Sequence, residues 1–154
     1  MSGSYCIDTS SLIQARRRLY PPAVFKSLWE KIDGLIDSGH LMAPDDVMHE
    51  LGKKDDEVHG WAKQRPQLFR APDEALQKEL KVVLADSPAL LGVRVAHSGA
   101  DPWVIALARI HGATVVTQEG RGKLMTPKIP DVCERLKVRC IQFIDIGVEL
   151  GWKF

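Results

Sequence analysis

Short apolar segments that favour β-structure alternate along this chain with longer segments in which apolar residues recur at helical spacing. The strand-like segments are residues 5–7, 40–43, 114–117 and 138–144. Such alternation is typical of sheets whose strands run mostly parallel, because a helix carries the chain back across the sheet between strands. The pattern therefore predicts an α/β domain of three layers (α/β/α) around a mostly parallel sheet.

Helical spacing is clearest in segments that a proline opens or a glycine closes. These segments are residues 21–39, 44–52, 72–85, 102–112 and 130–136. A shorter helix is expected after Thr9, and another at the C-terminal end of the chain. The polar residues 53–60 are expected to separate the helix at 44–52 from the segment around Trp61.

Size and composition narrow the class of protein further. The 154 residues suit one domain with a sizeable core, and no repeat or linker divides residues 1–154. A net charge of +1, from 21 basic and 20 acidic residues, excludes a polybasic protein but permits local basic surfaces. Three cysteines without a CxxC motif favour a reducing compartment. The chain has no apolar run of roughly 18 residues and no signal-peptide pattern, so we expect a cytoplasmic protein without a membrane segment.

Four carboxylates stand where solubility alone would not require them. Asp8 ends the first predicted strand, and Glu119 follows the third. Glu50 lies on the helix after the second strand, and Asp101 directly precedes a later helix. Because the carboxyl ends of parallel strands meet at one edge of the sheet, one pocket could gather all four. Clustered carboxylates raise one another's pKa values, and a bound divalent ion reverses that cost. Oxygen ligands suit Mg²⁺ or Mn²⁺, so we expect a metal site.

Two of these acids also have structural explanations. Asp8 could be a turn former that bonds the following amides, and Thr9 and Ser10 could be caps rather than supports for a metal ligand. Asp101 before Pro102 fits a helix N-cap followed by proline. Both explanations stay open on local sequence alone.

Motifs for other chemistries are missing from the sequence. It contains no GxGxxG or GxxxxGK[ST] nucleotide-binding loop and no HExxH metal motif. Cys133 and Cys140 lie seven residues apart, a spacing that favours core packing over a zinc pair. Nucleotide-binding and zinc-dependent classes therefore lose support.

The segments YCIDTSSLI, PDDVMHEL and ADPWVIALARIHGATVVTQE follow one another along the chain. Together they resemble PIN-domain nucleases, of the toxin-like (VapC-like) branch. The first segment is similar to the family's opening motif, in which the Asp that ends the first strand is a metal ligand. The second is similar to the segment with the family's helical Glu, and the third to its acid-opened helix and strand ending in Thr-x-acid. The resemblance covers residues 5–144 and implies a metal-dependent ribonuclease.

By this resemblance, the catalytic and metal-binding acids are Asp8, Glu50, Asp101 and Glu119. The residues implied to support them are Thr9, Ser10 and Thr117. Asp or Asn is more usual in the family where this chain has Glu119, so we expect this fourth ligand to be held less rigidly. The branch is often paired with an antitoxin protein and often forms homodimers, so both partners are expected. The alternative is a catalytically silent PIN-like module that binds RNA or protein.

Basic residues beside these motifs predict where RNA binds. Arg16 and Arg17 follow the first motif, and Arg121 and Lys123 follow the last one in a glycine-flanked loop. Such side chains could hold phosphates beside the acidic pocket. A solvated helix face is the alternative explanation.

The predicted helices also carry large aromatic side chains. We expect apolar residues around Phe25, Trp29 and Trp61 to exceed what the core of a 154-residue domain needs. An apolar surplus on the surface would support the expected homodimer.

Overall fold

Five strands form one parallel sheet in the structure, a computed structural model that describes residues 3–87, 99–123 and 127–154. The strands are β1 (Tyr5–Ile7), β2 (Leu41–Pro44), β3 (Phe69–Arg70), β4 (Thr114–Val116) and β5 (Cys140–Ile141). Their order across the sheet is β3-β2-β1-β4-β5, with β1 in the centre. All neighbouring strands are parallel, so their carboxyl ends meet at the same edge.

Helices flank this sheet and connect its strands. They are α1 (Thr9–Gln14), α2 (Lys26–Asp37), α3 (Asp45–Lys54), α4 (Asp56–Lys63), α5 (Glu74–Asp86), α6 (Asp101–His111), α7 (Ile129–Leu136) and α8 (Phe143–Leu150). α1 continues into a π-helical turn at Ala15–Leu19, and a 3₁₀ turn at Pro66–Leu68 precedes β3. This architecture confirms the predicted three-layer α/β/α fold. No helix in the described ranges is long and apolar enough to cross a membrane.

The core is built around β1, whose three residues are almost fully buried. Cys6 stands in register with Met42 of β2, and Ile7 with Val116 of β4. α6 packs across β1, β2 and β4. Because β1 is held by strands on both sides, the residue that follows it has a fixed place at the carboxyl edge.

Two helix boundaries differ from the prediction. α2 begins at Lys26 rather than at residue 21, because the Val24 and Phe25 amides donate to the Pro21 carbonyl at 3.0 and 2.9 Å and form a turn. α4 begins inside the polar run that was expected to separate helices. The Asp55 carboxylate accepts the Val58 amide at 3.0 Å, and this N-cap starts α4 among the polar residues.

The two edge strands of the sheet differ from the prediction. β5 is shorter than predicted, and β3 was not predicted. The strand expected at residues 138–144 is reduced to Cys140–Ile141. Phe143 instead begins α8, and its amide donates to Gln118 Oε1 at 2.8 Å. β3 has only two residues, too few to show a strand pattern in the sequence.

The aromatic side chains expected at a dimer surface lie largely inside one chain. Trp29 and Trp61 are 5% and 8% exposed, and their rings meet edge to face with centroids 5.7 Å apart. Trp29 also packs on Phe143, and its indole N–H donates to the Tyr20 carbonyl at 2.7 Å. Phe25 packs edge-on against the Tyr20 ring. Trp29 and Trp61 therefore belong to the core, whereas near Phe25 the side chains of Val24 and Leu19 are 72% and 43% exposed. The homodimer stays a prediction.

Candidate metal centre

Asp8 directly follows β1 and is 2% exposed. Its Oδ1 accepts the Ser11 amide at 2.8 Å and so caps α1, while the Ser10 hydroxyl donates to both oxygens at 3.1 Å. The Thr117 hydroxyl donates to Oδ2. Burial raises the pKa of Asp8 to about 6, although the hydrogen bonds from Thr117 and Ser11 act in the opposite direction. Asp8 is thus the predicted turn former. Three donors already make four contacts with its two oxygens, about as many as a carboxylate accepts, so a cation would bind Asp8 in exchange for a hydroxyl contact.

Glu50 projects from α3 towards the same edge. Its Oε1 accepts the Thr9 hydroxyl at 2.5 Å, and its Oε2 accepts the Ala100 amide at 3.3 Å. Thr9 follows Asp8 in the chain, and Ala100 precedes Asp101. These two contacts therefore hold Glu50 between the residues that neighbour the two aspartates.

Asp101 is the first residue of α6, and it does not cap that helix. The N-cap position belongs to Ala100, and no side chain there bonds a backbone amide. The pKa of Asp101 is raised to about 8, first by burial and then by the negative charges of Glu119, Asp8 and Glu50 in that order. The N-cap explanation is therefore wrong, and Asp101 lies in the electrostatic field of all three other acids.

Glu119 follows β4 and joins the cluster through Thr117. The Thr117 hydroxyl donates to Asp8 and accepts the Glu119 amide at 3.1 Å, so one side chain contacts both segments. The Glu119 carboxylate accepts the Ile129 amide, in the first turn of α7, at 3.3 Å. The side chains expected to support the acids thus do contact them: Thr9 bonds Glu50, and Ser10 and Thr117 bond Asp8.

We call the four acids Asp8, Glu50, Asp101 and Glu119 the acidic edge. Among the described residues, none of them takes part in an ion pair within 4 Å, whereas acids elsewhere on the surface do. The positive charge of Lys54 opposes the acids, but it lowers the pKa of Asp101 less than each of them raises it. The acidic edge therefore concentrates negative charge that the described part of the chain does not neutralise.

The chemistry of the acidic edge fits a hard divalent cation. Its donors are carboxylate oxygens, which Mg²⁺ and Mn²⁺ prefer. Within the described ranges, no three or more His, Cys, Asp or Glu side chains already surround one ion position. Glu50 and Glu119 instead accept hydrogen bonds from Thr9 and from the Ile129 amide. To bind an ion jointly with the aspartates, these two side chains would exchange their present donors for it.

Arg16, predicted to bind RNA, lies in a stack of aromatic and basic side chains. Its guanidinium carbon is 4.5 Å from the Trp29 ring centroid and 4.7 Å from that of Trp61. The guanidinium carbon of Arg65 lies 4.7 Å from the centroid of the same Trp61 ring. Arg65 also forms two hydrogen bonds with Asp33. Burial lowers the pKa of Arg16 to about 10. We call Arg16, Trp29, Trp61 and Arg65 the arginine–tryptophan stack, and these contacts assign Arg16 a packing role.

The other predicted RNA-binding residues lie at the surface. Arg17 pairs with Asp55 at 3.3 Å and with Glu57. Arg121 pairs with Glu134 and, at 3.6 Å, with Asp131. The remaining residue, Lys123, is exposed. Surface ion pairs are weak, so both arginines could exchange their present partners for phosphate.

A cavity of about 340 Å³ opens beside the acidic edge. Its wall includes Thr117, Glu119 and Arg121, together with Cys140 in β5 and Gln142 directly after that strand. The sequence analysis did not single out Gln142 as a site residue. The strand predicted at residues 138–144 includes Gln142, whereas the observed strand ends at Ile141 and so leaves Gln142 at the same edge as Asp8.

Fold and site together define an α/β protein with a cluster of four acids at the carboxyl edge of a parallel sheet. The chain belongs to the family described as "Domain of unknown function (DUF4411)", which it matches over residues 5–154. That match covers every acid of the cluster and assigns no activity to it. No curated protein matches the chain.

Proposed function

We propose that this protein is a Mg²⁺- or Mn²⁺-dependent ribonuclease related to PIN-domain nucleases. One observation carries the proposal: among the described residues, four carboxylates share one sheet edge, and none has an ion-pair partner. Buried acids that raise one another's pKa cost folding free energy, and a cation offsets that cost. Groups whose pKa values are shifted in this way are concentrated at functional sites.

Within this proposal, Asp8 and Asp101 are the principal metal holders and Glu50 and Glu119 complete the set. A divalent ion, when bound, would lower the pKa of a water and stabilise charge on a phosphodiester. Asp8 is kept in one orientation by its bonds to Ser11 and Thr117. Asp101 retains a proton near neutral pH in the absence of a cation, because its pKa is about 8. It would lose that proton as it gains a positive partner.

RNA would approach over the cavity beside Glu119. Arg121 borders that cavity, and Lys123 lies exposed on the same loop. Both side chains could hold phosphates near the acidic edge, and binding of this kind weakens as salt increases. By the same resemblance, we propose that the protein acts in the cytoplasm as the toxin of a toxin–antitoxin pair and forms a homodimer.

The test is cleavage of a panel of structured RNAs by the purified protein with Mn²⁺, with EDTA as the metal-free control. Asp8→Asn keeps the size of the side chain and removes its charge, so we expect cleavage to fall about a hundredfold or more. Glu74→Gln is the matched control, because Glu74 is 85% exposed on α5 and its ion pair in the described ranges is with Lys78 on the same helix. Equal cleavage by the folded Asp8→Asn variant and the wild type would exclude the proposed site.

A catalytically silent PIN-like module is the second candidate. The observation that favours it is that Glu50 and Glu119 already accept hydrogen bonds from within the chain. A silent module would bind RNA in a salt-dependent manner and leave it intact at every Mn²⁺ concentration. The same RNA panel, analysed for binding as well as for cleavage, separates the two candidates.

A further inference from the structure

The cavity beside Glu119 borders the acidic edge through two residues of its wall. These are Glu119 itself and Thr117, whose hydroxyl also donates to Asp8. A phosphodiester held at the acidic edge would therefore bring one of its flanking nucleosides to this cavity.

The charges of the cavity wall disfavour a phosphate inside it. Among the described residues, the wall has three carboxylates, Glu119, Glu134 and Asp145, and one guanidinium, that of Arg121. Arg121 is already paired with Glu134, and its side chain is 61% exposed, so it can meet a phosphate outside the cavity. A wall rich in acceptors suits a neutral group that donates hydrogen bonds better than it suits an anion.

The rest of the wall fits a flat ring. Pro130, Val138 and Ile141 contribute partly exposed apolar surface. Proteins that read single-stranded RNA hold an unstacked base against apolar or aromatic side chains and recognise its Watson–Crick edge with polar ones. The volume of about 340 Å³ is that of a small-ligand site, so the cavity can receive one nucleobase.

Asp145 is the acid of the wall that a base could use. It lies in the first turn of α8, where its Oδ2 accepts the Gln142 amide at 3.0 Å. Asp131 has the same place in α7 and accepts the Lys128 amide at 2.8 Å, but it also pairs with Arg121 at 3.6 Å. Asp145 has no ion pair within 4 Å in the described ranges. Because a carboxylate accepts about four hydrogen bonds, acceptor positions on Asp145 remain for a ligand.

The four RNA bases present different groups to a carboxylate. Guanine offers two adjacent donors, N1–H and the 2-amino group, which match the two carboxylate oxygens. Adenine and cytosine offer one amino group beside a ring nitrogen that is itself an acceptor, and uracil offers one N–H between two carbonyl oxygens. These acceptors repel a carboxylate, so Asp145 would distinguish guanine from the other bases. The side-chain amide of Gln142, on the same wall, can donate to guanine O6.

We propose that this cavity is a base-binding subsite that selects guanine in single-stranded RNA, with Asp145 as the residue that determines the selection. The proposal rests on the proposed function, since it names the part of an RNA substrate that the cavity holds. The Watson–Crick edge of guanine faces Asp145, and Arg121 meets a flanking phosphate. No covalent bond changes at this subsite, so binding there requires neither the metal ion nor cleavage.

The test is an NMR titration of the isotope-labelled, full-length protein with nucleoside monophosphates in EDTA. We expect guanosine monophosphate to bind in the millimolar range and to shift amide signals at residues 117–121 and 140–145. Inosine monophosphate lacks the 2-amino group and should bind about tenfold more weakly, because one hydrogen bond to a charged group is lost. The adenosine, cytidine and uridine nucleotides should bind more weakly still. Equal binding of all five nucleotides, binding of none, or shifts confined to other parts of the chain would each overturn the proposal.

Asp145→Asn separates recognition from folding. Asparagine keeps the size of the side chain and an oxygen that can accept the Gln142 amide, but it cannot accept both guanine donors. We expect the affinity for guanosine monophosphate to fall about tenfold or more, with loss of the preference over adenosine monophosphate. Asp73→Asn is the matched control with wild-type selectivity, because Asp73 caps α5 by accepting the Leu76 amide at 2.8 Å and does not line the cavity.

Unchanged selectivity in folded Asp145→Asn protein would exclude Asp145 as the selecting residue. Circular dichroism shows whether the variant is folded, and the wild-type nucleotide series decides the proposal even if it is not.

The guanine subsite and the ribonuclease can fail separately. Selective binding of guanosine monophosphate by a protein that cleaves no RNA would overturn the ribonuclease and support the subsite. Cleavage of RNA by a protein that binds all five nucleotides equally would do the reverse. If both proposals hold, mapped cleavage products should carry guanosine at one fixed position beside the cut, and Asp145→Asn should lose that preference.

Discussion

The acidic edge and the arginine–tryptophan stack both remove charged groups from water, but they treat the charge in opposite ways. In the stack, Arg16 lies against two indole rings, and Arg65 forms two hydrogen bonds with Asp33, at 2.6 and 3.0 Å. At the acidic edge, the pKa of Asp101 rises to about 8 because burial disfavours its charge and the acids around it repel that charge.

The comparison distinguishes arginines whose charge is stabilised by contacts within the chain from carboxylates whose charge a bound ligand would stabilise. Cation–π contacts and a paired carboxylate stabilise the arginines within the chain. Buried carboxylates without a counter-charge are costly, and a protein retains them where a bound group offsets the cost. We therefore expect changes in the stack to alter stability, and changes at the acidic edge to alter metal binding and cleavage.

The largest expected effect is the loss of activity in Asp101→Asn. This change removes one principal metal holder, so we expect cleavage to fall on the order of a thousandfold and not to recover at high Mn²⁺. The metal-free protein should become more stable, because asparagine has no carboxyl group that must take up a proton, or bear an unfavourable charge, when the chain folds. Cleavage assays and thermal unfolding in EDTA measure the two effects. Recovery of full activity at high Mn²⁺ would show that Asp101 is a secondary ligand and not a principal one.

The next largest effect is a loss of stability when the arginine–tryptophan stack is changed. Trp61→Ala removes a buried side chain that contacts Trp29, Arg16 and Arg65, so we expect a loss of about 3–5 kcal/mol in the free energy of unfolding. Urea unfolding measures it, with the more exposed Trp152→Ala as the matched control and a smaller expected loss. If Trp61→Ala remained as stable as the wild type but lost RNA binding, the stack would be a binding surface rather than core.

The pH dependence of stability tests the acidic edge without any variant. The pKa values of Asp8 and Asp101, about 6 and about 8 in the folded chain, lie above their ordinary value of 3.8. The folded state therefore binds more protons than the unfolded state, and the stability present at low pH is lost as pH rises. Asp131 and Glu149 have lowered pKa values and act in the opposite direction, but their contribution is complete above their ordinary values.

We accordingly expect the melting temperature in EDTA to fall by several degrees from about pH 5 to about pH 8. Saturating Mn²⁺ should reduce or reverse this trend, because metal binding favours the ionised carboxylates. Differential scanning calorimetry measures both series. A trend that Mn²⁺ leaves unchanged would show that the acids titrate without binding the ion.

The smallest effect is expected for Glu119→Gln. The Glu119 side chain is one methylene longer than aspartate and already accepts the Ile129 amide, so we expect it to tune metal affinity rather than to create it. The Mn²⁺ concentration for half-maximal cleavage should rise roughly tenfold, with the maximal rate retained. Complete inactivity at saturating Mn²⁺ would make Glu119 a principal ligand, and wild-type behaviour would make it a turn residue.

Periodicity in the sequence was sufficient to predict the layers of the fold and its central strands. β1, β4 and α6 fall within one residue of their predicted bounds, because buried parallel strands and an apolar helix leave strong local patterns. The order of strands also predicted that the acids lie at one edge of the sheet, because residues that follow parallel strands share that edge independently of loop conformation. The two-residue strand β3 and the helix α4 left no such pattern, and the sequence analysis missed them.

Contacts between distant parts of the chain were decided only by the tertiary structure. Thr9 bonds Glu50 and Thr117 bonds Asp8 across 41 and 109 residues of sequence, and no local pattern encodes such pairs. Local sequence also suggested an N-cap for Asp101 and a phosphate contact for Arg16. Packing assigned the cap position to Ala100 and placed Arg16 against two indoles, because burial and long-range neighbours set the role of a charged side chain.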